Sequence, residues 1–348
     1  MNGLVLFSRR IWPQLLTLAV IVGLISVMFP GFFDISIANG RLYGSPIDIL
    51  NRGAPVALLA IGMTLVIATR GIDLSVGAVM AICGAVSAWG ITEGYGLAAT
   101  LAMALAAGLA CGLWNGILVA ILGIQPIVAT LILMVAGRGI AQLITEGAIL
   151  TFNHEGLIFF GSGSVWTIPM PVIIGVLTGA IVTLIVRRSA LGMLIEAIGI
   201  NLRASTLAGV NTRVLLIAVY MTSGFCAALA GIIAAADIRG ADANNAGLWL
   251  ELDAILAVVV GGTSLLGGRF SLIASLIGAL IIQAVNTGIL LSGFPPEFNL
   301  IIKAVIILII LVLQSPTMRT VLVFFSSDKA AGIDTEKQPD KQKETVAP

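Results

Sequence analysis

The chain has 348 residues, of which 18 are basic, 17 acidic and 59% hydrophobic, and its mean hydropathy is +1.11. Charged residues make up 10%, against about 25% in soluble domains, too few to cover a soluble fold of this size. This excludes a soluble enzyme, a nucleic-acid binder and a disordered chain, and points to a polytopic membrane protein.

A membrane helix needs roughly 20 apolar residues to cross about 30 Å of hydrocarbon. Ten segments are read as spans: 12–30, 51–69, 74–92, 96–122, 126–145, 168–186, 213–236, 252–266, 271–291 and 299–315. Arg9 and Arg10 precede the first as they would a signal peptide, but its apolar run is long and no clear cleavage site follows, so it is kept as a span. The eighth is short for a crossing. The expected fold is all-α, with one transmembrane domain over residues 1–325. Residues 326–348 contain four Lys and five Asp or Glu and read as a disordered tail.

With the N-terminus inside and the spans alternating, the inner segments carry thirteen basic residues, among them Arg70, Arg187, Arg188, Arg203, Arg213 and Arg269. The outer loops carry two, Arg41 and Arg239, and most of the acidic residues. This follows the positive-inside rule and places both termini in the cytoplasm.

Two pairs of segments resemble each other. Asp73-Leu74-Ser75-Val76-Gly77 opens the third span and Asp253-Ala254-Ile255-Leu256 the eighth; Asn115-Gly116-Ile117-Leu118 closes the fourth and Asn286-Thr287-Gly288-Ile289-Leu290 the ninth. An odd number of spans separates the copies, so the second is inverted, a recurring transporter design with its pathway at the repeat interface.

Polar residues inside such a chain carry the functional signal. Asp73 and Asp253 stand at helix starts, where a carboxylate either caps backbone N–H groups or faces a pathway. Arg138 and Lys303 lie within spans that the repeat makes equivalent; each pairs structurally or lines a hydrated path. Asn115, Gln125, Gln142, Gln283, Asn286 and Asn299 either bind a polyhydroxylated solute or tie helices together. His154 and the apolar Cys83, Cys111 and Cys226 make no metal set, and no catalytic residue is expected. The glycine-rich stretch Gly261–Arg269 lacks the Gly-Lys-Ser/Thr ending of a phosphate loop and reads as a tight turn. If ATP drives transport, another subunit hydrolyses it.

The longest inner loop, residues 187–213, has a rough apolar stripe through Met193, Ile195, Ala197, Ile200, Ala204, Leu207 and Ala208. It either lies on anionic lipid or docks to a soluble cytoplasmic protein.

Several motifs occur in one order: Gly71-Ile72-Asp73-Leu74-Ser75-Val76-Gly77, then Glu196-Ala197-x-Gly199-x-Asn201, Glu251-Leu252-Asp253-Ala254 and Gly261-Gly262-Thr263-Ser264-Leu265-x-Gly267-Gly268. Together they resemble the ribose-type family of ABC sugar-transporter permeases over about residues 40–315. The stretches Arg41–Asn51, Ala236–Gly247 and Asn286–Glu297 are similar to galactofuranose-importer permeases in particular. One departure is Arg70, where the family pattern usually has the first of two glycines; if that position requires positive φ, arginine strains it.

The resemblance implies an importer in the bacterial inner membrane. A periplasmic protein delivers the sugar, two permease subunits, identical or paralogous, form the path, and ATP and Mg are handled by a separate ATP-binding cassette subunit. The loop with Gly192, Glu196, Ala197, Gly199, Asn201 and Arg203 is then the ATPase-coupling element. The competing reading is an ion-coupled secondary sugar transporter, less favoured because carboxylates within the spans are few.

Overall fold

A computed structural model describes residues 2–38, 40–293 and 296–314; the tail read at 326–348 lies outside them. The helices are α1 (Asn2–Met28), α2 (Ser45–Ala68), α3 (Val76–Thr92), α4 (Leu97–Ala120), α5 (Pro126–Ile144), α6 (Glu155–Ser162), α7 (Met170–Arg188), α8 (Leu191–Ile200), α9 (Leu202–Leu207), α10 (Thr212–Ile238), α11 (Leu250–Val260), α12 (Leu272–Leu291) and α13 (Pro296–Gln314). Short antiparallel pairs join β1 (Ser36–Ala38) to β2 (Arg41–Tyr43), β3 (Leu150–Thr151) to β6 (Gly240–Ala241), and β4 (Ser164–Val165) to β5 (Ile168–Pro169).

Each predicted apolar segment contains a helix. Seven helices among the described residues are long and apolar enough to cross a membrane: α1 from Ile11 onward, α2, α4, α5, α7, α10 and α12. Proline opens α5 and stands in the first turn of α2 and α7, where its missing N–H costs no helical bond. The segment expected to reach Leu266 ends as α11 at Val260. Gly261 and Gly262 follow, with Gly262 at φ 85°, a conformation that stops a helix. At 1.5 Å per residue, α11 extends only about half the hydrocarbon thickness.

α2 is the central helix, with 78% of its most apolar window buried against 17% for α1. The sides of α1, α4, α5 and α7 carry exposed Leu, Ile and Val, as a lipid-facing surface does. α2 packs against α10, α11 and α12, while α10 packs against α2, α3 and α4. The α4–α10 seam is close: a Cβ on Gly112 would lie 2.5 Å from the Tyr220 carbonyl oxygen. Small residues spaced by four on α4, Gly108, Gly112 and Gly116, permit that approach.

α1 rests on α12. Gln14 Nε2 on α1 donates to Gly261 O at 3.1 Å, a buried bond between residues 247 positions apart. Residues from Ala304 onward form a separate unit, helical in its described part to Gln314.

Candidate functional site

Three places in the first unit, residues 1–303, gather the polar residues. The first is a buried junction where α2 gives way to α3. The chain leaves α2 through Thr69 and Arg70 and runs non-helically from Gly71 to Asp73 before a turn leads into α3. Asp73 Oδ1 accepts from Ser75 N at 3.0 Å and from Ser75 Oγ at 2.6 Å. Its Oδ2 accepts from Ser223 Oγ on α10 at 2.8 Å. Ser75 Oγ in turn accepts from Asn115 Nδ2 on α4 at 2.8 Å. Thr130 Oγ1 on α5 donates to Ile72 O at 3.1 Å and receives Leu74 N at 3.2 Å. A carboxylate buried to 2% exposure thus has three donors, as a charge at this depth requires. Asp73 and Asn115 meet here, in a fastening between helices.

The second place is a cavity of about 480 Å³. Asn51 and Arg52 enter it from the start of α2, Asp237 from the end of α10, Trp249 from the turn before α11, Asp253 from α11, Gln283 and Asn286 from α12, and Lys303 from α13. Lys303 Nζ donates to Asp253 Oδ2 at 2.6 Å. The Asn51 and Asn286 side-chain oxygens are buried and accept no hydrogen bond from the protein. Trp249 sits at φ 66° and keeps 49% of its surface exposed. The wall therefore offers acceptors, donors and one flat apolar face, the mixture that fixes a small polar solute in a concave site.

Of the residues read from the sequence as pathway candidates, Asp253, Gln283, Asn286 and Lys303 come together in this cavity. Asp73 and Asn115 lie in the junction. Arg138 on α5 donates to the Ala246 carbonyl and so holds the turn ahead of α11; Gln142 beside it donates to Asn244 Oδ1 at 2.8 Å. Gln125 is exposed at the start of α5 and its side chain makes no capping bond. The Asn299 side chain lies outside the described residues. Asn51, Asp237 and Trp249 were not singled out by sequence reasoning. Asp237 and Trp249 stand at helix ends and Asn51 in the second turn of α2, where polar residues read as capping or topology markers.

The third place is at the opposite end of α2. The loop 187–213 folds into α8 and α9, with Ile195 and Ile198 buried and Met193 and Leu207 exposed to 71% and 89%. Of the predicted stripe only Ile195 is buried and Ala197 partly so, while Met193, Ile200, Ala204, Leu207 and Ala208 are exposed; the buried side of α8 is made by Ile195 with Ile198. Glu196 and Ala197 are partly buried and Arg203 is exposed. Asn201 Oδ1 caps α9 by accepting Ala204 N at 3.0 Å, and Gly192 packs on the end of α7, where an added Cβ would stand 2.8 Å from Val186 O. Gly199 lies against α2 so closely that a Cβ there would stand 1.9 Å from Ala68 O.

Arg70 does adopt positive φ, 66°, at a cost of about 1–2 kcal/mol for a residue with a Cβ. Its side chain offsets this through bonds from Nε to Leu266 O at 2.9 Å and from Nη2 to Ile200 O at 2.8 Å.

A family model described as branched-chain amino acid transport system / permease component matches residues 45–311. The chain is 65% identical to the galactofuranose transporter permease protein YtfT of Escherichia coli K12, over 87% of this chain and 89% of that one. It is 42% identical to the fructose import permease protein FruF of Bifidobacterium longum, over 80% of this chain and 79% of that one. Against the ribose import permease protein RbsC of Escherichia coli K12 it is 37% identical, over 85% of this chain and 91% of that one.

Proposed function

The chain belongs to the permease family whose model it matches, and from that membership we propose that it is the transmembrane subunit of an ATP-driven sugar importer, with galactofuranose as its sugar. It is a multi-pass inner-membrane permease and not itself an enzyme. The family description names amino acids, but the relatives at 65%, 42% and 37% identity are all named for sugars, and that agreement favours a sugar.

One structural observation carries the site. The 480 Å³ cavity is lined by Asn51 and Asn286, whose buried amide oxygens have no protein donor. Sugar hydroxyls are donors that satisfy them, while Gln283 and Arg52 donate to ring and hydroxyl oxygens. The Lys303–Asp253 pair closes one wall, and Trp249 takes the apolar face of the ring. Asp73 and Asn115 hold the helices behind the path, and Arg138 steadies the turn that carries Trp249.

The charge distribution supports an arrangement in which the cavity opens outward, since its lining comes from the start of α2, the end of α10 and the start of α11. Both termini, the 326–348 tail and the 187–213 loop then face the cytoplasm. The packing of α2 on α11 and α12, and of α10 on α3 and α4, supports ten spans over residues 1–325 built as an inverted repeat. So does the left-handed backbone at both Arg70 and Arg239, which end α2 and α10.

In this reading a periplasmic binding protein delivers the sugar to the outer end. A second permease subunit, identical or paralogous, completes the path. A separate ATP-binding cassette subunit holds ATP and Mg and receives the loop around Gly192, Glu196, Ala197, Gly199, Asn201 and Arg203. Closure of that subunit moves the loop and rocks the helices, exchanging outer for inner access. Reconstitution with candidate ATP-binding cassette and binding-protein partners, measuring ATP hydrolysis across several sugars, tests the proposal. Stimulation by galactofuranose above other monosaccharides is expected. Uptake driven by an ion gradient without any ATPase overturns it in favour of a secondary transporter.

A further inference from the structure

Arg70 stands where three distant segments meet. Its guanidinium bonds to Ile200 O at the end of α8 and to Leu266 O in the glycine-rich turn, residues 130 and 196 positions away. The backbone fastens the same three segments: Gly268 N donates to Ala68 O at 2.9 Å, and Gly199 is wedged between them, so that a Cβ there would lie 2.5 Å from Gly268 N. The Arg70 stem lies directly on Gly267, whose φ of 80° turns the loop around it.

On its other side Arg70 is one residue from Gly71, which abuts the Tyr220 hydroxyl, and three from Asp73, which bonds Ser223 on α10. The stretch 68–73 is therefore held at one end by the cytoplasmic loop and at the other by the buried junction of α3, α4 and α10. Arginine adopts a backbone shape here that glycine takes without strain, and only the side chain repays it. The planar guanidinium presents diverging donors that reach two carbonyls at once.

We propose that Arg70 is a positioning residue that links α8 and the glycine-rich turn to the Asp73 junction, so that displacement of the loop moves the transmembrane helices. The linkage itself rests on these contacts alone. Its use in coupling rests on the reading of 187–213 as the ATPase-docking loop.

The test pairs two measurements on the full-length chain. In the first, wild type and Arg70→Gly are placed in lipid nanodiscs without partners, and backbone hydrogen exchange is followed over residues 196–203 and 262–270. Glycine suits the backbone but removes both side-chain bonds, so exchange at least fivefold faster in these two segments is expected. Arg70→Lys reaches one carbonyl at most and gives an intermediate rate; it also serves as the test variant if the glycine variant does not fold. Unchanged exchange in the variant overturns the proposal.

The second measurement counts ATP hydrolysed per sugar imported by the assembled importer. A rise of at least fivefold in Arg70→Gly is expected, with the amount of co-purified ATPase unchanged. Faster exchange with a wild-type ratio overturns the coupling role. A wild-type protein that shows no ATP-driven uptake sinks the importer reading instead, and the exchange result alone then decides the linkage.

Discussion

Lys303 Nζ and Asp253 Oδ2 lie 2.6 Å apart, with their side chains only 13% and 8% exposed. They bring together two residues that stand out in the sequence for different reasons, one a cation inside an apolar run and the other an acid at a helix start. A buried pair costs desolvation on both sides, and its two members are bound to each other energetically.

Removing one partner leaves the other charged and alone. Lys303→Met is expected to destabilise the protein by about 3–5 kcal/mol, read as a lower melting temperature in detergent. The double variant Lys303→Met with Asp253→Leu is expected to recover most of that stability but not sugar uptake. Recovery of uptake as well removes the pair from the path.

The cavity amides make a sharper contrast. Asn51→Leu and Asn286→Leu each remove an acceptor from the cavity wall, and uptake is expected to fall about tenfold, the loss of one good hydrogen bond to a buried ligand. Gln125→Leu, at an exposed helix start, is expected to stay within about twofold of wild type by the same reasoning. Transport assays at equal membrane abundance check all three; equal losses at all three positions sink the cavity assignment.

In the 187–213 loop, Glu196→Lys reverses a charge on α8 without touching the buried Ile195 and Ile198. Membrane insertion is expected to be normal, ATPase co-purification to fall below one fifth of wild type, and uptake to stop, since a like-charge juxtaposition at a docking surface costs several kcal/mol. Wild-type co-purification with normal uptake removes Glu196 from the docking surface.

Gly199→Ala tests the contact beneath that helix. The added methyl meets the Ala68 carbonyl and the Gly268 amide, both backbone atoms, so α8 has to shift outward. A loss at the upper end of about 1–3 kcal/mol is expected, visible as a lower melting temperature and faster proteolysis of the 187–213 loop. A variant as stable as wild type shows that α8 already sits farther from α2.

The helices were legible because long apolar runs punctuated by proline and glycine leave little choice of structure in a membrane. The exceptions have local causes. α11 stops at Val260 because Gly262 turns the chain, whereas hydropathy alone continues through Leu265 and Leu266. The β1–β2 and β4–β5 hairpins have no clear period, and each is only two or three residues per strand, too short to show one.

The candidate site was legible in part. Asp253, Asn286 and Lys303 are conspicuous as polar groups in apolar surroundings, and they do converge. Asp73 and Asn115 are equally conspicuous, but Ser75 and Ser223 hold the Asp73 carboxylate and Ser75 takes the Asn115 amide nitrogen, and ordinary serines give no advance notice of that. Arg138 is held by the carbonyl of Ala246, an atom that every residue possesses and no sequence pattern marks. Trp249 joins the cavity through a left-handed turn, a feature of backbone geometry rather than of composition.

The bond from Gln14 to Gly261 has a consequence for how the protein is made. Synthesis runs from the N-terminus at about 5–20 residues per second, so α1 enters the bilayer tens of seconds before its partner exists. Its apolar window, of hydropathy 2.1, suits it to wait in lipid unaccompanied. A helix made early is thus docked late, and its contact with Gly261 closes only after the chain up to that residue has been made.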